Sequence, residues 1–221
     1  MLEDYGCLAE GLLALHQATG AARWLTAALG LLDTALEHFA SDEAGRFSDT
    51  ADDAEALLHR PRDLVDGATP SGAAALAGAL LTASVLAEPV QAARYGEASR
   101  AAMAAAGGAA LRHPRLAGHW LGVAEAAAAG PLQVTLVGRS GDAYLAALAD
   151  AARRAAPGGA VVVAGEPDEP GVPLLAGRPL VAGRAAAYVC RGFVCHRPVT
   201  TSDELFAALN GEHFSGSTTS I

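Results

Sequence analysis

Apolar side chains at Leu2, Tyr5, Leu8 or Ala9, Leu12 and Leu15 recur at the spacing of one helical stripe, and Gly20 closes the segment. A second stripe through Trp24, Ala28, Leu31, Ala35 and Phe39 predicts a second helix after a very short connection, hence a helical hairpin. The pattern then breaks into "SDEAGRFSDTADDAEALLHRPRDLVDGA", a polar, turn-rich run of the length that carries either a function or a small ribbon. Thr69-Pro70 reads as an N-cap with proline at the first helical position, opening a helix to about Leu86. Further helices are predicted from Val90 to about Ala106 and from Pro114 to Ala129. Five alanine-rich helices in succession predict antiparallel pairs stacked side by side.

The texture changes at Gly130-Pro131. "LQVTLVG" has the character of a buried strand, "DAYLAALADAARRAA" of an amphipathic helix, and "GGAVVVAG" of a second strand. This βαβ order predicts a parallel pair with a right-handed crossover. Proline-rich turns follow, then more β character in "AAAYVC" and "FVCH", and "TSDELFAAL" opens on a capping residue of a last helix. The expected fold is mainly α: helical hairpins over residues 1–129, a small α/β lobe over 130–210, and a flexible tail over 211–221.

The 52 % hydrophobic content is mostly Ala, Leu and Val with only 5 % aromatics, which favours close-packed helices. A net charge of −9, spread along the chain, would repel a phosphate backbone and argues against nucleic acid as a partner. All 15 basic residues are arginine, a pattern best explained by coding bias. The longest apolar run, residues 73–87, is shorter than the ~20 residues a membrane span needs, and no secretory signal pattern opens the chain. A cytoplasmic protein without a membrane partner is expected. Three cysteines are too few for a disulfide scaffold.

Four stretches bear on chemistry. In "LEDY", Glu3 shares a helix face with Glu10 and Gln17 toward solvent, whereas Asp4 shares one with Leu8, Gly11 and Leu15, the expected packed side. An acid there needs a partner or a task; otherwise both acids simply favour the positive start of a helix. "HRPRDLVDGATPSG" brings Arg60, Arg62, Asp63 and Asp66 to a helix start whose free N–H groups can hold an anionic or hydroxyl-rich ligand, or else forms a capped helix behind a salt-bridged turn. "VGRSGDA" matches no phosphate-binding glycine motif and reads as an ordinary turn.

In "AYVCRGFVCHRP", Cys190 and Cys195 have neither a C-x-x-C spacing nor a second pair, so neither structural zinc nor a thioredoxin-type couple is indicated. A hairpin turning at Arg191-Gly192 would set Cys190 opposite Phe193 and leave Cys195 a diagonal neighbour, normally too far for a disulfide. A thiol redox role for Cys190 and Cys195 is therefore placed behind a plain hairpin. The other histidines show no ligand spacing; no metal or cofactor is expected.

Taken in order, "LEDYGCLAEGLLALHQATG", "RPRDLVDGATPSG" and "AYVCRGFVCHRPVT" resemble the C-terminal half of the spermatogenesis-associated-protein-20-like family of thioredoxin-domain-containing proteins, over roughly residues 2–209. The resemblance implies an incomplete α/α toroid of the six-hairpin glycosidase type followed by the α/β lobe, with a thioredoxin-like domain encoded upstream as a partner. It implies a central pocket for a carbohydrate or other small molecule. Matched to the family's motifs, Asp4 and Asp66 become the catalytic candidates, and Tyr5, Arg60 and Ser71 the substrate-binding ones. Ala73 stands where the family writes Asn, and Arg62 where it writes Lys. A carbohydrate-active enzyme, a non-catalytic interaction module and the thiol redox role are the three classes to be weighed.

Overall fold

The computed structural model describes residues 1–55, 57–191 and 194–210. The expected tail at 211–221 lies outside them. The chain divides into two compact units, one built from Met1–Ala14 and Arg23–Ala128, the other from Leu15–Ala22 and the residues from Ala129 onward. The protein is mainly helical, with seven α-helices and a four-stranded sheet among the described residues. No helix among them is long and apolar enough to cross a membrane.

The first unit contains most of α1 (Leu2–Thr19), then α2 (Ala22–His38), α3 (Gly72–Leu86), α4 (Pro89–Arg112) and α5 (Gly118–Ala129). Helix α3 is its centre. Twelve of its fifteen residues are buried, so it has no polar face, and alanine and glycine supply the small side chains that such an all-round buried helix needs. Ser71 caps it, accepting from Ala74 N, so the helix starts two residues beyond the expected Thr69 cap and Pro70 precedes it. The alternative cap wins because Asp66 Oδ1 also holds the Ser71 N–H.

Helix α1 packs on α3 through glycines. A Cβ at Gly72 would lie 2.7 Å from Glu3 N, one at Gly6 2.8 Å from Leu76 N, and one at Gly78 2.6 Å from Glu10 Oε1. The contacts advance together along both helices, so α1 and α3 run parallel. The buried face of α1 is Leu2, Gly6, Ala9, Leu13 and His16. The expected stripe holds in part: Leu2 and Ala9 are buried and Tyr5 and Leu12 partly so, but Leu8 and Leu15 are exposed, and so is Asp4, which was expected on the packed side. On α2 the buried positions are Leu25, Ala28, Leu32 and Ala35, with Phe39 just beyond. Tyr95 of α4, fully buried, donates to Asp33 Oδ1 of α2 at 2.8 Å, and burial together with that carboxylate holds its phenol strongly protonated.

In the second unit the sheet order is β2-β1-β3-β4, with β1 (Leu132–Val137), β2 (Val161–Gly165), β3 (Ala186–Arg191) and β4 (Val194–Cys195). β1 and β2 are parallel and joined through α6 (Ala143–Ala155), and β1 pairs antiparallel with β3. One sheet face, carrying Leu132, Val134, Leu136, Ala187 and Val189, packs with Leu148 and Ala152 of α6 and Leu205 of α7 (Ser202–Leu209). Thr201 caps α7 through Glu204 N, and Glu204 returns a bond to Thr200 N, which holds its carboxyl below the usual range.

The β3–β4 hairpin corrects the expected register. The expected turn at Arg191-Gly192 extends outside the described residues, but on either side Arg191 pairs with Val194 and Cys190 with Cys195. Cys190 therefore faces Cys195 and not Phe193. The Cα atoms are 3.9 Å apart and the sulfurs form a disulfide. This strand register converts the expected diagonal neighbours into a directly opposed pair, close enough to bridge.

Candidate functional site

The long polar segment between α2 and α3 folds back as structure rather than as an open loop. Arg60 donates from Nε to Thr50 O and from Nη2 to His38 O, 3.1 Å in each case, and Ala40 and Phe47 form an antiparallel bridge. Asp49 takes the Leu2 amide on its carbonyl and donates its own N–H to Pro61 O, which fixes it beside the start of α1.

These bonds shape a cavity of about 310 Å³ at the N-terminal ends of α1 and α3. Glu3, Asp49 and Asp63 line it together with Met1 and with Gly67, Thr69, Ser71 and Gly72, which lead into α3. Asp49 Oδ2 accepts from Asp63 N and Asp63 Oδ1 accepts from Val65 N, both at 2.9 Å. Each of these carboxylates is thus oriented through one oxygen. Such a set can accept several hydroxyl protons from a polyol while the helix start offers N–H donors.

Of the catalytic and substrate-binding candidates that the resemblance implies, only Ser71 lines this cavity, together with Glu3 and Asp63 of the same two sequence stretches. Asp4 is a surface residue bonded at 2.9 Å to the Met1 amino nitrogen. Tyr5 stacks against Phe39, ring centroids 5.1 Å apart. Arg60 serves as the loop staple just described. Asp66 accepts from Ser71 N at 2.9 Å on one oxygen and from His119 N at 2.8 Å on the other, which ties the loop to the starts of α3 and α5. Neither Asp4 nor Asp66 lines this cavity.

Three other groupings have no spacing signal in the sequence. Glu10 of α1 and His119 of α5 meet over Gly78, with Oε1 3.1 Å from Nε2. Burial pushes the Glu10 carboxyl above its ordinary range, and His119 opposes the shift. His38, Asp52 and Asp53 each bring one ligand atom within 4.8 Å of the others, a set that could hold a divalent cation. His38 Nδ1 lies 2.9 Å from Asp52 Oδ1, and that bond raises the imidazole's pKa while lowering the carboxyl's. A second cavity of about 390 Å³, lined in part by Asp42, Asp52, His59, Arg60 and Arg62, lies alongside.

No family model matches the chain, and no curated protein matches it.

Proposed function

We propose that the chain is the C-terminal part of a thioredoxin-domain-containing protein of the kind its motifs resemble, and that its helical unit is part of an α/α toroid holding a carbohydrate or another hydroxyl-rich small molecule. The parallel run of α1 along α3 supports the toroid, because successive hairpins stacked around a ring lay their inner helices parallel. The observation that carries the ligand is the acidic cavity where those two helices begin. Three carboxylates, with two of them oriented by backbone N–H groups, suit a neutral polyol and disfavour phosphate or carboxylate ligands. The motif segments "LEDY" and "DGATPSG" both border it, but through Glu3, Gly67, Thr69 and Ser71 and not through the Asp4–Asp66 pair.

Glycoside hydrolysis needs one protonated and one ionised carboxyl flanking the bond. With Asp66 spent on two N–H groups and Asp4 at the surface, binding is the better-supported activity. A non-catalytic module that recognises a glycan is the form of the proposal that the dispersal of Asp4, Arg60 and Asp66 favours. The test is a titration with a panel of mono- and oligosaccharides, followed by amide NMR shifts. Shifts clustered at residues 49 and 63–72, lost in Asp49→Asn/Asp63→Asn with the spectrum otherwise native, are expected. A panel that leaves those amides unmoved defeats the proposal.

A further inference from the structure

The second face of the sheet holds polar groups that a hydrophobic core does not require. Gln133 and Thr135 of β1 are fully buried, yet neither the Gln133 amide nor the Thr135 hydroxyl has a hydrogen-bond partner among the described residues. In the antiparallel register Gln133 faces Cys190 and Thr135 faces Tyr188, so these four side chains share one face. Arg178 adds a cation. Its Nη1 donates to Leu174 O, its Nη2 lies 3.9 Å from Cys190 Sγ, and its buried Nε has no partner among the described residues. Among the described residues no carboxylate pairs with it, and burial lowers its pKa.

A structural disulfide has no need of such neighbours. A half-buried guanidinium without a counter-ion, beside an unspent amide, is costly unless an anion forms there. Tyr188 on this face spends its O–H on Pro179 O and burial keeps that phenol protonated, so the anion closest to hand for Arg178 is the Cys190 sulfur released when the disulfide breaks. Cys190 is fully buried, whereas its partner Cys195 is partly exposed on β4, the last strand of the sheet.

We propose that Cys190–Cys195 is a thiol–disulfide exchange site, in which an incoming thiolate attacks Cys195 and Cys190 leaves as a thiolate among the donors of Arg178 and Gln133. The attacking sulfur forms a mixed disulfide with Cys195 Sγ as the Cys190–Cys195 bond breaks, and the bonding pair goes to Cys190. A second thiolate then attacks the sulfur of the first, forming a disulfide between them and releasing Cys195 as a thiolate that takes up a proton. The chain's cysteine pair gains two electrons and the two external thiols lose them. Charge stabilisation of the departing sulfur accelerates the first step. The co-reactant is a thiol, whether a low-molecular-weight one or the dithiol of another protein. The site is independent of the acidic cavity of the helical unit.

The experiment uses the full oxidised chain, treated separately with reduced glutathione and with a reduced C-x-x-C protein, then acid-quenched and peptide-mapped. Free thiols are expected to rise from one, Cys7, to three, with the first glutathione adduct on Cys195. The faster reagent identifies the source of the thiol. No reduction by either reagent, or a first adduct on Cys190, overturns the proposal. In Cys7→Ser/Cys195→Ser, thiolate absorbance at 240 nm should titrate below the ordinary thiol value of about 8.5. A midpoint above it, as burial alone would give, also overturns the proposal. Arg178→Gln should slow reduction about tenfold; if that variant fails to fold, the adduct map of the unaltered chain still decides.

Discussion

Asp66 illustrates how an acid can look catalytic and be structural. Its two oxygens hold the N–H groups of Ser71, the cap of α3, and His119, the second residue of α5, where unpaired donors and the helix dipole favour a negative charge. Asp66→Ala would strand both donors, and hydrogen bonds to a charged group are each worth about 1.5–3 kcal/mol. The expected loss is about 2–4 kcal/mol in urea unfolding, with sugar binding at the cavity changed only through folding. The sequence marked Asp66 as important but could not say which donors it would meet. Those donors are five and 53 residues away, a matter of tertiary placement alone.

The His38–Asp52 pair carries a pH dependence of defined sign. The hydrogen bond to Asp52 raises the His38 pKa, so its contribution is fully present below the unfolded value near 6.5 and is lost as pH rises through the folded value. Asp52 is lowered, so its contribution is present above the unfolded value near 3.8 and is lost as pH falls through the folded one. The pair therefore supports the fold most between about pH 4 and 6.5. Asp53 and Glu37 also face His38 and act in the same direction, while Arg60 favours ionised Asp52. NMR titration should place the His38 midpoint above 6.5, and Asp52→Asn should bring it down.

At the scale of the element, helices and strands were legible because their periodicities differ, and the βαβ unit came out with parallel pairing as expected. The phase of α1 was legible only in part. Its buried positions are Leu2, Gly6, Ala9, Leu13 and His16, and at Gly6 the α3 backbone comes so close that no side chain fits between the two helices. A stripe drawn through the largest apolar residues then leans toward Leu8 and Leu15, and with them toward the wrong acid of "LEDY". One helix supplies a paired test. Gly6→Ala forces a Cβ to within 2.8 Å of Leu76 N and 2.9 Å of the Ala75 Cβ, and should cost about 1–3 kcal/mol. Gly11→Ala, exposed and with nothing within 4 Å, should stabilise by about 0.5–1 kcal/mol through the better helix propensity of alanine. Thermal denaturation of the two variants should move in opposite directions.

At the scale of the whole molecule, the two units answer to different chemistry. The acidic cavity belongs to the helical unit, and its motif segments and Asp63 could be found in the sequence, although its other acids could not: Glu3 was read only as facing solvent, and Asp49 sits in a run of turn residues with no pattern. The cysteine pair belongs to the sheet unit, where the β3–β4 register decided between a diagonal and a bridge. Since the bridge closes a loop of only a few residues, the chain-entropy model gives it about 2 kcal/mol. That stabilisation acts on the sheet unit, whose β3 carries Cys190 between Val189 in the core and Arg191, which donates to Gly130 O at 2.8 Å. Reduction of the full chain should therefore raise amide exchange rates most in β3 and in the facing β1. The same rates in α3, whose packing involves neither cysteine, should change least. Hydrogen exchange followed by mass spectrometry, in oxidised and reduced buffer at one pH, makes the comparison. Equal acceleration in α3 and β3 would mean that the disulfide supports the molecule as a single cooperative body.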